Sequence, residues 1–441
     1  MKTYSVRTFG CQMNKHDSER VAGLLQSAGL REARDPDDAD VIVFMTCCVR
    51  ENADGRLIGQ VASLKPYKTG RPSGLIAVGG CIGQRDGEIL LRELPHVDVV
   101  FGTHNIGRLP ALLQSAAESL TPVVEVLDAG EDFSSDLPTR RERRFHAWAP
   151  ITVGCDNFCT YCIVPHVRGR ERSRPSSQIV TEIEDLVADG VLEVTLLGQN
   201  VNSYGRDLHG APSFAPLLRD VARTGIKRIR FATSHPKDLS DETISVMAEE
   251  PAVCRSLHLP VQSGSDRVLE AMNRRYTAES YLGTIEKLYA AMPELALSTD
   301  IIVGFPGETE ADFEATLDVV RAARYDQAFT FIYSPREGTP AATMPDHVPR
   351  EVSQVRFDRL VEIVHASAQA KNTALLGTVQ RVLIEGPSRR DPSVLTGRSE
   401  GNKVVHVPVP AGDSAESWAG RIVDIVIEDA QTWFLGGRLL G

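Results

Sequence analysis

The chain has 441 residues, 42% of them hydrophobic and 24% charged, with a formal net charge of −11. That length exceeds one ordinary core and predicts two to four domains, and the globular composition excludes a repeat array or a low-complexity scaffold. No apolar run approaches the roughly 20 residues of a membrane helix, and the opening MKTYSVRTFGCQMN lacks a signal peptide's apolar core. A cytoplasmic monomer with no membrane partner is expected. The acidic balance excludes a generic polyanion binder and leaves nucleic acid to a local basic patch.

In chain order, TYSVRTFG, ADVIVFMT, GLIAVGG and VDVVFG read as strands separated by amphipathic helices such as SERVAGLLQSAG. This α/β alternation over residues 1–121 predicts a parallel sheet covered by helices. The rhythm stops over 122–147, a polar stretch expected to be a linker, where Arg140, Arg141, Arg143 and Arg144 form a basic knot. It resumes over 148–373 with WAPITVG, EVTLLG, RIRFAT, SLHLPV, ALSTDIIVG and AFTFIYS as strands. Six βα units in succession fit a partial (βα)6 barrel. Residues 376–441 turn to TVQRVLIEG, SVLTG, KVVHVPVP and GRIVDIVIEDA, short segments that predict a small antiparallel β-barrel.

Disulfides are not expected among the eight cysteines of a cytoplasmic chain, so clustered cysteines are read as metal ligands or reactive thiols. Cys155, Cys159 and Cys162 stand in Cys-x3-Cys-x2-Cys spacing after the first barrel strand. Structural zinc takes four ligands, and the nearest fourth, His166, follows Pro165. Three soft thiolates suit a [4Fe-4S] cluster with one iron left open. Chemistry in a βα barrel gathers at the carboxyl ends of its strands. There the chain carries Gln199 and Asn200, Ser234 and His235, Gln262 and Ser263, Asp300, and Ser334 with Arg336.

A second set is dispersed. Cys11, Cys47 and Cys81 each follow a strand of the N-terminal sheet, which brings them to one carboxyl edge, where such folds bind ligands. Cys48 competes with Cys47, and Cys254 reads as core. Arg168, Arg170, Arg172 and Arg174 alternate after the cysteine loop; an extended segment would turn all four toward RNA phosphates or loop bases. The tail from 376 holds 7 Lys/Arg against 8 Asp/Glu, so charge gives it no RNA role.

The Cys-x3-Cys-x2-Cys loop resembles the radical S-adenosylmethionine (SAM) superfamily. The resemblance implies that the open iron chelates SAM, which a reducing electron splits to methionine and a 5′-deoxyadenosyl radical. LLGQNVNSYG, HLPVQSGSD and TDIIVGFPGET match segments that surround SAM in that superfamily. Gln199, Gln262, Ser263 and Asp300, with Asn200 and Ser234 at neighbouring strand ends, are therefore the candidate SAM contacts. Two tricysteine sets, a SAM-cleaving barrel and a β-rich tail together look like the methylthiotransferases, whose tail is a TRAM domain of OB-like shape. Cys47 aligns with that family's TC-x-[VI]-R pattern, although Met45 stands where an asparagine is usual.

TFGCQMNKHDSERVAGLL is most similar to the MiaB-type branch, which converts N6-isopentenyladenosine beside the tRNA anticodon to its 2-methylthio derivative. The ribosomal-protein branch would carry Pro-Lys-Asn in place of Gln12, Met13 and Asn14. The resemblance implies two [4Fe-4S] clusters, SAM, a tRNA substrate and a flavodoxin- or ferredoxin-like electron donor, with the sulfur donor unidentified. One SAM would methylate sulfur held on the second cluster and another would supply the radical, with no protein acid or base assigned. The alternatives are methylthiolation of threonylcarbamoyl-adenosine in tRNA or of a ribosomal protein side chain. From other classes, an iron–sulfur electron carrier and an RNA-binding protein with structural zinc remain in view.

Overall fold

The structure is a computed structural model and describes residues 1–48, 51–127 and 137–440; residues 128–136 of the expected linker therefore lie outside the described residues. Val41–Thr46 and Leu75–Gly80 are buried at every position, as befits central strands covered on both faces. They belong to a six-stranded sheet ordered Arg31–Glu32, Thr3–Thr8, Val41–Thr46, Leu75–Gly80, Val99–Phe101 and Val123–Glu125. Every pair in it is parallel. The two outer strands depart from the sequence expectation. Arg31–Glu32 is short and exposed, and Val123–Glu125 falls in the stretch read as linker yet pairs with Val99–Phe101.

The central domain holds the six expected strands. His146–Pro150, Glu193–Leu197 and Arg228–Phe231 pair in parallel, as do Ser256–His258, Ala296–Val303 and Gln327–Ile332. An isolated bridge between Ile229 and Val253 joins the halves. Their helix-facing residues, among them Leu196, Ile229, Leu257 and Leu297, form one apolar core with the surrounding helices. Cys254 is buried beside that bridge, in keeping with a packing role. The segment WAPITVG divides: after Pro150 the chain forms Thr152–Val153, which pairs antiparallel with Arg172–Ser173. The cysteine loop hangs between those two short strands.

The tail closes as a five-stranded barrel of Val379–Pro387, Val394–Ser399, Val404–Pro408, Phe434–Leu439 and Ile422–Ala430. It is not wholly antiparallel, because Val404–Pro408 runs parallel to Phe434–Leu439. That last strand, FLGGRL, was not expected, its two glycines breaking the β pattern.

The domains are tied by charge. The basic knot meets one carboxylate on each domain: Arg140 pairs with Glu32 at 2.5 Å, Arg141 with Asp189, and Arg143 with Glu385 at 2.6 Å. The turn Ser399–Lys403 of the tail lies against the amino ends of the barrel strands. Arg228 and Arg230 share Glu193 and donate to the carbonyls of Ser399 (2.9 and 2.7 Å), while Lys403 reaches Asp326 at 2.7 Å. Arg230 also donates to Ser256 Oγ (2.9 Å) and Glu400 O (3.0 Å). Replacing Arg230 with Met should cost about 3 kcal/mol, read as a lower urea midpoint, with Arg230→Lys recovering part of it.

Candidate active site

The strand register aligns the N-terminal cysteines. Thr8 lies opposite Met45 and Thr46 opposite Gly80, so three adjacent strands end nearly level. Cys11 then caps the helix Gln12–Ser27, Cys47 follows Thr46, and Cys81 opens the helix Cys81–Asp86. Gly10 has φ +121°, and a Cβ there would stand 2.1 Å from Cys47 Cβ and 3.0 Å from its sulfur. Only glycine lets the Cys11 turn approach Cys47 so closely. Asn14 Nδ2 clamps the same turn by donating to Phe9 O (2.9 Å) and Thr46 O (2.6 Å).

A hydrogen bond with Cys47, with help from Arg168, lowers the Cys11 thiol to about 6 against the effect of burial. A bond with Cys48, again helped by Arg168, lowers Cys81 to about 7. The same bond, together with burial, pushes Cys48 far up. Both members of the Cys47–Cys48 pair therefore touch the set, Cys47 through Cys11 and Cys48 through Cys81.

Arg168 is buried and donates to Asn14 Oδ1 (3.1 Å) and Asp17 Oδ2 (3.0 Å), within the field of Cys81 and Cys11. It comes from the barrel domain, at the end of the helix Val164–Arg168. Ile163 and Val167 of this segment pack in one apolar cluster with Cys48, Ile76 and Cys81. The expectation of four arginines on one RNA-facing side is corrected accordingly. The segment is not extended throughout: Arg168 ends a helix, and Arg174 is buried on Glu182 (2.7 Å) and Pro150 O (2.9 Å). Arg172 is half-buried in the short strand pair. Only Arg170 is open, its side chain 75% exposed, held by Asp156 at 2.8 Å and lying over the Phe158 ring at 5.4 Å.

In the cysteine loop, Cys155 N–H donates to Gly169 O (3.2 Å) and Cys162 N–H to Cys159 O (2.9 Å). Burial pushes the Cys155 thiol up to about 11 and Cys162 to about 12, with neighbouring thiols adding to both. Such thiols ionise when a metal displaces their protons. Cys159 and Cys162 line a cavity of about 470 Å³ with Phe158, His166 and Pro340. Among the described residues no three His, Cys, Asp or Glu side chains close on a single metal ion.

The expected SAM contacts fall into two groups. Among the described residues, Asn200 Oδ1 and Ser234 Oγ are buried without partners, as are Thr152 Oγ1, Asn202 Nδ2 and His235 Nε2. Buried polar atoms are normally paired, and these five lie at the carboxyl ends of the first three barrel strands. That is the donor and acceptor set a zwitterionic, ribose-bearing ligand requires, so the residues fit SAM. Of the remaining candidates, Gln199, Ser263 and Asp300 have side-chain partners within the protein, and Gln262 is held through its backbone. Gln199 accepts from Gly154 N–H at 2.6 Å, and Ser263 Oγ meets Thr316 at 3.3 Å. Gln262, at φ +68°, donates its N–H to Asp300 O at 2.9 Å. Asp300 lies within the strand Ala296–Val303 rather than at its end and pairs with His258 at 3.4 Å. Thr152 and Asn202 were not singled out from sequence, although both stand just past apolar strand runs.

Comparison with known proteins agrees with this geometry. Residues 149–320 match the radical SAM superfamily, 3–102 an uncharacterised family designated UPF0004, and 374–440 the TRAM domain. The fold resembles the radical SAM methyltransferase TsrM from Kitasatospora setae, with a TM-score of 0.56 and 14% identity over 78% of this chain and 74% of that one. These matches define a radical SAM enzyme with a TRAM tail.

The relatives are more specific. A protein of Salinispora arenicola named tRNA-2-methylthio-N(6)-dimethylallyladenosine synthase is 54% identical over 96% of this chain and 84% of its own length. One of the same name from Acidothermus cellulolyticus is 55% identical over 97% and 86%. The chain belongs to the tRNA-2-methylthio-N(6)-dimethylallyladenosine synthase family, the MiaB-type branch of the methylthiotransferases. Membership implies SAM and a [4Fe-4S] cluster. No helix among the described residues is long and apolar enough to cross a membrane.

Glu171, in the return from the cysteine loop, accepts from Ser203 Oγ at 2.7 Å, and burial raises its carboxyl to about 7. An unfolded glutamate titrates near about 4.3, so the folded state binds the proton more tightly. Its unfavourable contribution is absent below that pH, grows as pH rises toward 7 and is constant above. Glu171→Gln should therefore melt higher than the parent at pH 8, with the difference vanishing at pH 4.

Proposed function

We propose that this chain methylthiolates C2 of N6-isopentenyladenosine, the dimethylallyladenosine of its relatives' names, next to the anticodon of tRNA, and that it holds two [4Fe-4S] clusters. The observation that carries the two-cluster reading is the segment Val164–Arg168, which begins two residues after Cys162 and ends on Arg168 beside Asn14, Asp17 and Cys81. Two extended steps and four helical rises span at most about 13 Å. One short segment thus runs from the first cysteine set to a side chain that touches the second, which supports placing both sets around one bound nucleoside.

When bound, the clusters and SAM supply the radical chemistry needed to replace the hydrogen on C2, a carbon with neither an acidic proton nor a leaving group. Cys155, Cys159 and Cys162 hold the first cluster and Cys11, Cys47 and Cys81 the second. Asn200, Asn202, Ser234 and His235 bind and orient SAM. Arg168 offsets the negative charge of the second set. Phe158 and Arg170, at the open rim of the cysteine loop, meet the bases or phosphates of the anticodon loop, the usual mode for single-stranded RNA. The TRAM barrel adds RNA contacts. A flavodoxin- or ferredoxin-like protein donates electrons, and the enzyme works as a cytoplasmic monomer.

Nucleoside mass spectrometry of tRNA from a strain lacking this protein is the primary test. Loss of 2-methylthio-isopentenyladenosine is expected; an unchanged profile overturns the assignment, and selective loss of methylthiolated threonylcarbamoyl-adenosine favours the alternative substrate. Cys155→Ala should abolish reductive SAM cleavage, while Cys11→Ala should keep cleavage and lose thiolation. Iron analysis separates the adjacent pair: Cys47→Ala should lose the second cluster's iron and Cys48→Ala retain it.

A further inference from the structure

Arg274 is 5% exposed and uses all three guanidinium nitrogens. Nη1 donates to Cys159 Sγ at 3.5 Å, Nη2 to Pro260 O at 2.8 Å and Nε to Tyr276 Oη at 2.9 Å, and the guanidinium carbon stands 5.3 Å from the Tyr276 ring centre. None of these partners is a carboxylate. Among the described residues the other buried arginines all have one: Arg20 and Arg174 share Glu182, Arg168 has Asp17, Arg228 and Arg230 share Glu193, and Arg356 has Glu308.

A guanidinium removed from water without a counter-ion costs several kcal/mol, so its retention demands negative charge close by. The groups that could supply it are the phenols of Tyr161 and Tyr276 and the thiol of Cys159. Tyr276 accepts from Nε and presents its ring to the guanidinium, whereas the Cys159 sulfur is the hydrogen-bonded group that belongs to the cysteine loop.

We infer that Arg274 is the counter-ion of the cluster held by Cys155, Cys159 and Cys162, and that its charge and N–H···S bond raise that cluster's reduction potential. The inference rests on those three cysteines being the ligands. A [4Fe-4S]²⁺ core with three thiolates carries one net negative charge, and the electron that reduces it to the 1+ state adds a second. A fixed cation in a low-dielectric site stabilises the reduced form more than the oxidised one. Arg274 is thus a positioning residue that acts through Cys159 and eases electron entry from the external donor.

The test is a redox titration of the reconstituted full-length protein with dithionite and mediators, following the electron paramagnetic resonance signal of the reduced cluster that changes when SAM is added. Arg274→Met, which removes both charge and donor, should move the midpoint furthest to negative potential. Arg274→Gln, which keeps a donor, should move it less, and Arg274→Lys least, all with iron and sulfide content unchanged. Midpoints equal to the parent's in both the Gln and Met variants would overturn the inference; if the Met variant does not fold, the Gln and Lys pair carries the comparison. Cys159→Ala separates the underlying assignment: a SAM-responsive signal that survives this change refutes the ligand set rather than the tuning.

Discussion

The architecture turns on a single buried cation. Arg168 is supplied by the barrel domain and satisfied by Asn14 and Asp17 of the N-terminal domain. Removing either partner while the domains stay packed would leave an unpaired buried charge, at several kcal/mol. Ile163 and Val167 add apolar burial to the same contact, and Thr103 Oγ1 donates to Val167 O at 2.8 Å. The two cysteine sets are therefore held in a fixed relation by packing and charge. The proposed reaction, in which sulfur held at one cysteine set reaches a substrate activated at the other, needs that rigidity, since small misplacements of reacting groups are costly.

The two arginines beside the cysteines solve different electrostatic problems. Arg168 bonds a carboxylate as well as standing among thiols, so its charge is compensated whether or not a metal is bound. Arg274 has no carboxylate and is compensated only when Cys159 is ionised. Across the barrel mouth, Thr152, Asn200, Asn202, Ser234 and His235 keep polar atoms without protein partners. Nearby buried polar groups such as Thr299 and Ser265 are paired internally. Five unpartnered atoms thus share one barrel mouth, where a single polar ligand would satisfy them together.

Much of this was legible in the residues. The central strands announce themselves as unbroken apolar runs, and the cysteine spacings follow from strand ends. What was not legible depended on partners distant in the chain. Arg168 finds Asp17 across 151 positions, and a helical turn followed by a tight return defeats the alternation that would have put four arginines on one face. Arg31–Glu32 and Phe434–Leu439 became strands through neighbours that supply their hydrogen bonds, not through their own side chains. Arg274 sits in an unremarkable NRRY context, and only the third dimension shows that, among the described residues, it lacks the carboxylate that the other buried arginines possess.

The tail has a consequence for how its contribution can be measured. Its turn at Ser399–Lys403 supplies acceptors for Arg228 and Arg230 and a cation for Asp326, so it forms part of the floor of the catalytic barrel. Excising residues 376–441 would strip hydrogen-bond acceptors from Arg228 and Arg230 and the Lys403 counter-charge from Asp326 at once. The damage would travel up the barrel strands toward the cysteines, and a truncated enzyme with poor RNA affinity would report a foundation removed as much as a binding module lost. Substitutions on the solvent side of the tail, far from that turn, are the changes that isolate RNA recognition from the integrity of the barrel it supports.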